Sequence, residues 1–126
     1  MKIKKMKIRI ESKEDYWKRA TKEAREIDNG ERQSFESSLS FISLKQLRNF
    51  MTPGRLEILK VIKKKKPKSI YELAKMLDRD VDNVNREVKL LSMYRLLILK
   101  NGNGKRKTVI PRVDFDEIRI NIPILK

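Results

Sequence analysis

The side chains of this sequence that could do chemistry are hydrogen-bonding and charged groups rather than nucleophiles or soft metal ligands. The 126-residue chain has neither Cys nor His, which excludes a disulfide framework and any thiolate or imidazole metal site. It carries 32 Lys and Arg against 17 Asp and Glu, a formal net charge of +15. This balance favours a polyanionic partner. We expect no enzyme activity, no bound metal and no cofactor.

The positive charge is concentrated in the middle of the chain. Residues 53–113 hold 17 basic and six acidic side chains, a net charge of +11, whereas residues 1–52 carry +5 and residues 114–126 carry −1. The middle segment is therefore the expected polyanion-binding part, and a merely solubilising Lys-rich surface is the alternative. Charged residues make up 39% of the chain, against a norm of about 25%, which is typical of heat-adapted proteins.

One segment of the middle region, about residues 81–94, combines a buried helical stripe with hydrogen-bonding side chains. Val81, Val84, Val88 and Leu91 are spaced to face inward. Amide side chains match adenine edges and Arg matches guanine. The candidate base-reading side chains are therefore the outward set Asn83, Asn85, Arg86 and Lys89. The alternative is that these residues form an ordinary solvated helix face.

A second set of residues is suited to contacts with the nucleic-acid backbone. Lys68 and Ser69 stand at a predicted helix N-terminus, where a phosphate is favoured. Lys105, Arg106 and Lys107 follow the turn sequence NGNG. Cations at such a tip can contact phosphates or enter a minor groove.

Three aspartates at alternate positions interrupt the basic segment in "MLDRDVDNVNREV", residues 76–88. We interpret Asp78 as a turn former, Asp80 as a helix N-cap and Asp82 as a first-turn charge that favours the helix dipole. Asp82 is also four residues from Arg86, so the spacing predicts an ion pair. An alternative role for Asp82 is to accept a hydrogen bond from cytosine.

The elements that must position these side chains can be read from capping residues and periodicity. Thr52 and Pro53 begin a helix whose stripe is Leu56, Leu59 and Ile62, and "SIYELAKML" begins the next. "RLLILK" and "KRKTVIP" predict two strands around a tight turn. In the flanks, strand patterns around Ile8, Leu39 and Ile120 predict one small sheet, covered by the helix that contains Trp17, with the first two strands parallel.

The segment "ELAKMLDRDVDNVNREVKLLSMYRLL" resembles the helix-turn-helix of MarR-type regulators. Leu73-Ala74 matches the Leu-Ala of the first helix, where the recognition helix crosses. With "LRNFMTPGRLEIL", residues 44–113 resemble a family of small archaeal and bacterial DNA-binding regulators related to MarR. The sequence departs from that pattern at Asp78 and Arg95, which replace the usual glycines, and a left-handed Arg costs about 1 kcal/mol or more.

Together these observations predict an α+β fold, a winged helix-turn-helix with three helices and a two-stranded wing, to which the terminal segments add a sheet-and-helix layer. The expected divisions are residues 1–51, 52–113 and 114–126. The resemblance implies a sequence-specific transcriptional regulator of double-stranded DNA, with a recognition helix at about 81–94 and a wing at about 96–111.

Several alternatives remain open at this point. The chain could be an antitoxin that regulates its own promoter, a chromatin-like non-specific DNA-binding protein, or a protein that binds RNA or the transcription machinery. A homodimer is expected, with a toxin or the transcription machinery as a further possible partner. No apolar run approaches the ~20 residues of a membrane span, and we expect a cytoplasmic protein without a membrane partner.

Overall fold

A computed structural model of the protein describes residues 3–102, 104 and 108–125. Across these residues the chain is α+β, as predicted. It forms five helices and five strands in the following order: β1 (Lys5–Ile10), α1 (Lys13–Asp28), β2 (Ser38–Phe41), α2 (Leu44–Phe50), α3 (Pro53–Lys65), α4 (Ile70–Leu77), α5 (Val81–Met93), β3 (Ile98–Asn101), β4 (Val109–Arg112) and β5 (Glu117–Asn121).

The elements are divided between two compact units. The central unit comprises Met1–Lys4 and Met51–Asp116, and it contains α3, α4, α5, β3 and β4. The flanking unit comprises Lys5–Phe50 and Glu117–Lys126, and it contains the other three strands with α1 and α2.

The flanking unit is built on a three-stranded parallel sheet with the order β2-β1-β5. In the register, Ile8 lies between Leu39 of β2 and Ile120 of β5. The predicted parallel pairing of the first two strands, and the return of the last strand to β1, are both confirmed. Phe35 is an even number of residues from Leu39, as expected for one face of a strand, but it lies before β2 and is exposed.

Helix α1 contacts the polar face of this sheet, which differs from the expectation of an apolar cover. Strand alternation places Lys7 and Arg9 on the same face as Ser40. From α1, the Arg19 guanidinium pairs with Glu11 at 2.7 Å and reaches Ser40 at 3.4 Å. Trp17, in contrast, is 64% exposed. The helix is therefore held by ion pairs and hydrogen bonds, because the face it meets is polar.

Two carboxylates of this network have pKa values below the ordinary glutamate range. Burial alone would raise the pKa of Glu11, but hydrogen bonds from Arg19 and Ser40 outweigh it. Burial would likewise raise the pKa of Glu36, and the hydrogen bond and charge of Arg9 lower it instead. Both carboxylates are therefore expected to stabilise the flanking unit when ionised.

The apolar face of the sheet is buried unevenly. Ile8 on the middle strand is fully buried. Phe41 of β2 packs on Phe50 of α2, with ring centroids 5.6 Å apart. Ile120 of β5, which pairs with Ile8, is 54% exposed. The apolar face is thus covered at β1 and β2 and left open at β5.

The core of the central unit comes from all three of its helices and from the residues that follow α5. Each large apolar side chain that is fully buried contributes about 1.5–3 kcal/mol. Two details differ from the predicted stripes, because Leu56 is only half-buried while Ile58 is buried, and Val81 is exposed. The buried apolar side chains are Ile58, Leu59, Ile62, Leu73, Ala74, Leu77, Val84, Val88, Leu91, Leu96, Leu97 and Val113.

Candidate nucleic-acid interface

The turn between α4 and α5 is fixed by local backbone geometry. Ser69 caps α4 by accepting a hydrogen bond from the Glu72 N–H at 3.0 Å. Asp78 ends the helix in the left-handed conformation, with φ 54° and ψ 49°. Its N–H bonds Lys75 O and the Arg79 N–H bonds Ala74 O, the hydrogen-bond pattern of a Schellman motif. The predicted turn-forming role of Asp78 is confirmed.

The other two aspartates of this segment have different outcomes. Asp80 is the N-cap of α5 and accepts from the Asn83 N–H at 3.1 Å, as predicted. The predicted pair between Asp82 and Arg86 is wrong, since no ion pair joins them among the described residues. Both side chains are exposed, and an exposed i,i+4 pair gains only about 0.3–0.5 kcal/mol, too little to hold the two side chains in one geometry.

Helix α5 has one fully buried stripe and one exposed stripe. Val84, Val88 and Leu91 have no exposed surface. At about 100° per residue, the side chains opposite them are Asp82, Arg86, Lys89 and Met93, and all four are exposed.

The four residues predicted to read bases therefore do not share one position on α5. Arg86 and Lys89 lie in the centre of the exposed stripe, and neither forms an ion pair with a described residue. Asn83 and Asn85 are half-buried, and they lie about 160° apart around the helix axis. The two amides thus flank the stripe on opposite sides.

Two arginines that the sequence reasoning missed hold the helices of this surface together. Arg55 of α3 donates from Nε to the Glu87 carboxylate of α5 at 2.6 Å. Arg79, in the turn, donates to Gly54 O at 3.3 Å, and a Cβ at Gly54 would lie 3.0 Å from its Nη2 atom. Both contacts join residues far apart in sequence, so periodicity carries no signal for them.

The end of α5 leads directly into the hairpin. Arg95 has φ 62°, and the N–H groups of Arg95 and Leu96 bond Ser92 O and Leu91 O, each at 3.0 Å. This is a second Schellman motif, with Arg at the position that favours glycine. Strands β3 and β4 then pair antiparallel, and the Gly102 N–H bonds Thr108 O at 2.8 Å.

The residues predicted to contact the nucleic-acid backbone fall in two places. Lys68 is exposed and Ser69, beside it, is the N-cap of α4. The predicted tip residues Lys105, Arg106 and Lys107 lie outside the described residues. On the described part of the hairpin, Lys100 is exposed and Arg112 is half-buried.

One lysine of the run at the end of α3 has a structural role in the central unit. The Lys63 ammonium donates to Val113 O and pairs with Asp116, both at 3.3 Å. Asp116 also accepts from the Lys4 backbone N–H at 2.9 Å. That hydrogen bond and Lys63 hold the pKa of the Asp116 carboxyl below its ordinary value.

The described residues define a chain whose central unit is a basic, helix-rich module that ends in a hairpin. None of its described helices is both long and apolar enough to cross a membrane. The chain belongs to the HVO_A0114 family, whose model matches residues 50–120. That match covers α3 through β4 and most of β5. A search of curated proteins found none that matches the chain.

Proposed function

We propose that this protein is a transcriptional regulator that binds double-stranded DNA through the central unit, used as a winged helix-turn-helix related to MarR. In this proposal α5 enters the major groove and the β3–β4 hairpin is the wing. The observation that carries it is the exposed stripe of α5, where Arg86 and Lys89 have no described acidic partner. The opposite stripe of the same helix is fully buried, so the exposed side is held in a fixed orientation.

The geometry of the helix pair supports this function over a solvated surface. A helix that follows a tight turn and presents its N-terminal half outward is the arrangement by which helix-turn-helix proteins reach base edges. The Arg55–Glu87 pair and the Arg79–Gly54 bond hold α5 and the turn against α3. These contacts reduce the entropy that α5 would otherwise lose on binding.

The assignment of individual contacts follows from position on the helix. Arg86 is the best candidate for bidentate readout of guanine, and Lys89 for a second base or a phosphate. Asn83 and Asn85 would contact opposite walls of a groove, so they are expected to contribute less together than two adjacent amides. Lys68 and Ser69, together with Lys105, Arg106 and Lys107, which lie between β3 and β4 in the sequence, are proposed to contact phosphates.

The test begins with a preferred duplex, found by selection from random DNA, and compares the Arg86→Ala/Lys89→Ala variant on that duplex and on a scrambled one. Loss of a good bidentate contact costs about 1–3 kcal/mol on the preferred site. The loss on scrambled DNA should be smaller. Lys22→Ala/Arg25→Ala is a matched control, because it removes two cations with the same spacing from the exposed side of α1.

The outcome distinguishes readout from a general effect of charge. If both double variants weaken binding equally, α5 does not read sequence. The same holds if the α5 variant loses as much affinity for the scrambled duplex as for the preferred one. The second result would favour chromatin-like binding.

Replacing Lys105, Arg106 and Lys107 together by Ala should lower the slope of log affinity against log salt by about one to two, at about 0.9 for each phosphate contact.

A further inference from the structure

The open edge of strand β5 combines unpaired backbone groups with exposed isoleucines. β5 is an edge strand of the sheet among the described residues, since it pairs only with β1. Ile120 is 54% exposed and Ile122 is 45% exposed, and the residues that follow, Ile124 and Leu125, are almost fully exposed. An uncovered edge with apolar side chains is a template for pairing with another strand.

We propose that this edge is a homodimer interface, in which β5 pairs antiparallel with β5 of a second copy across a two-fold axis at Ile120. The two sheets would join into one sheet of six strands with a shared apolar face. This proposal does not depend on whether the central unit binds DNA.

The charge distribution identifies a second copy as the occupant. Between residues 117 and 125 the only charged side chains are Glu117 and Arg119, so this segment is neutral in a chain of net charge +15. Two copies repel each other over most of their surfaces, and this strand is a place where they can approach without that cost. A polyanion has no net charge to recognise here.

The side-chain pattern favours an axis at Ile120 over an axis at either neighbouring residue. Directly opposed residues of an antiparallel pair lie on the same face, so the axis must pass through a residue for the two apolar faces to coincide. An axis at Arg119 would oppose two guanidinium groups, and an axis at Asn121 would oppose Arg119 to Pro123, which has no N–H to donate. An axis at Ile120 opposes Ile118 to the partner's Ile122 and Arg119 to the partner's Asn121.

The size of this contact predicts a weak dimer. Stable interfaces bury about 1,200–2,000 Å², and one pair of short strands is smaller than that even with Ile124 and Leu125 added. We therefore expect dissociation at micromolar concentrations. Added salt should strengthen the dimer, because it screens the repulsion between two basic chains. DNA binding would respond to salt in the opposite direction.

The first test measures the mass of the full chain by sedimentation equilibrium over a range of concentrations. Ile120→Lys would place two ammonium groups at the axis and should raise the dimer dissociation constant at least about tenfold. Ile42→Lys is the matched control. Ile42 has the same side chain and a similar exposure, 58%, and lies in the same unit after β2; this variant should dimerise like the wild type.

The axis itself can be tested by charge complementation. Ile120→Lys and Ile120→Glu should each be monomeric, and an equimolar mixture should form a one-to-one heterodimer, because residue 120 faces residue 120. The natural chain has no cysteine, so Ile120→Cys gives a single thiol with little risk to the fold. It should form disulfide-linked dimers on mild oxidation, faster than Ile42→Cys does.

Four results would overturn the proposal: a wild-type chain that stays monomeric up to about 1 mM at high salt, equal weakening by the two lysine variants, equal cross-linking rates for the two cysteine variants, or a dimer that survives Ile120→Lys. The last result would place the interface on another surface.

Discussion

Replacing Arg95 by Gly should stabilise the central unit. Arg95 has φ 62°, follows the C-cap residue of α5 and has an exposed side chain. The left-handed conformation costs a residue with a Cβ about 1–2 kcal/mol. Glycine removes that cost but adds about 0.5–1 kcal/mol of backbone entropy in the unfolded chain. The net expectation is a gain of about 0.5–1 kcal/mol in the free energy of unfolding.

Urea unfolding followed by circular dichroism would measure this gain. With a denaturant slope of about 2 kcal/mol per molar, the midpoint should rise by about 0.3–0.5 M. Arg95→Ala is the informative control, because it removes the same side chain and retains the Cβ, so it should give no gain. Asp78→Gly, at φ 54°, should gain less than Arg95→Gly, since Asp tolerates the left-handed region better than Arg.

The comparison of glycine with alanine refutes or supports the reasoning directly. Equal stabilisation by Arg95→Gly and Arg95→Ala would mean that the arginine side chain, rather than the backbone, is the source of strain. A lower midpoint for Arg95→Gly would mean that contacts of the arginine side chain stabilise the turn after α5 by more than the left-handed backbone conformation costs.

Three further predictions concern contacts within the central unit and within the flanking unit. A double-mutant cycle on Arg55 and Glu87, with Gln at each position, should give a coupling free energy of about 1 kcal/mol. A coupling of zero would mean that this pair does not hold α5 against α3. The carboxylates of Glu11 and Glu36 have lowered pKa values, so their contribution to stability is complete above the ordinary glutamate pKa of about 4.3 and is lost as the pH falls further. The hydrogen-exchange protection factors of β1 and β2, which correct for the intrinsic pH dependence of amide exchange, should fall below that pH, and unchanged protection factors would contradict the network's role. Ile8→Ala should cost about 2–5 kcal/mol in the flanking unit by urea unfolding, and a cost below 1 kcal/mol would show that Ile8 is not a core residue.

The features that could be predicted from the sequence are those set by neighbouring residues. The caps at Ser69 and Asp80 and the turn at Asp78 each depend on a hydrogen bond or a φ angle within a few positions. The strand pairing of the flanking unit was also predictable, because alternating isoleucines at the two ends need a common sheet.

The features that were missed depend on contacts between distant residues. The Arg55–Glu87 pair spans 32 positions, and neither residue stands out from its neighbours in a chain with so many charges. The sequence predicts that the helix containing Trp17 covers the sheet, but the face of the sheet that it meets is decided by Arg19 and its carboxylate partners. The partial burial of both Asn83 and Asn85 follows from the angle of α5 against its neighbours, which spacing alone does not define.

The pairing of β5 with β1 has a consequence for the order of folding. Lys5 of β1 pairs with Glu117 of β5, and closing a flexible loop of that length costs about 4 kcal/mol of chain entropy. Lys4 and Asp116, the residues just before these two strands, are joined by two backbone-linked hydrogen bonds within the central unit. Once the central unit has folded, the two ends of the loop are already together and most of that entropy has been lost. The sheet should therefore gain its third strand late, after the central unit, and variants that slow folding of the central unit should delay protection of β5 by the same factor.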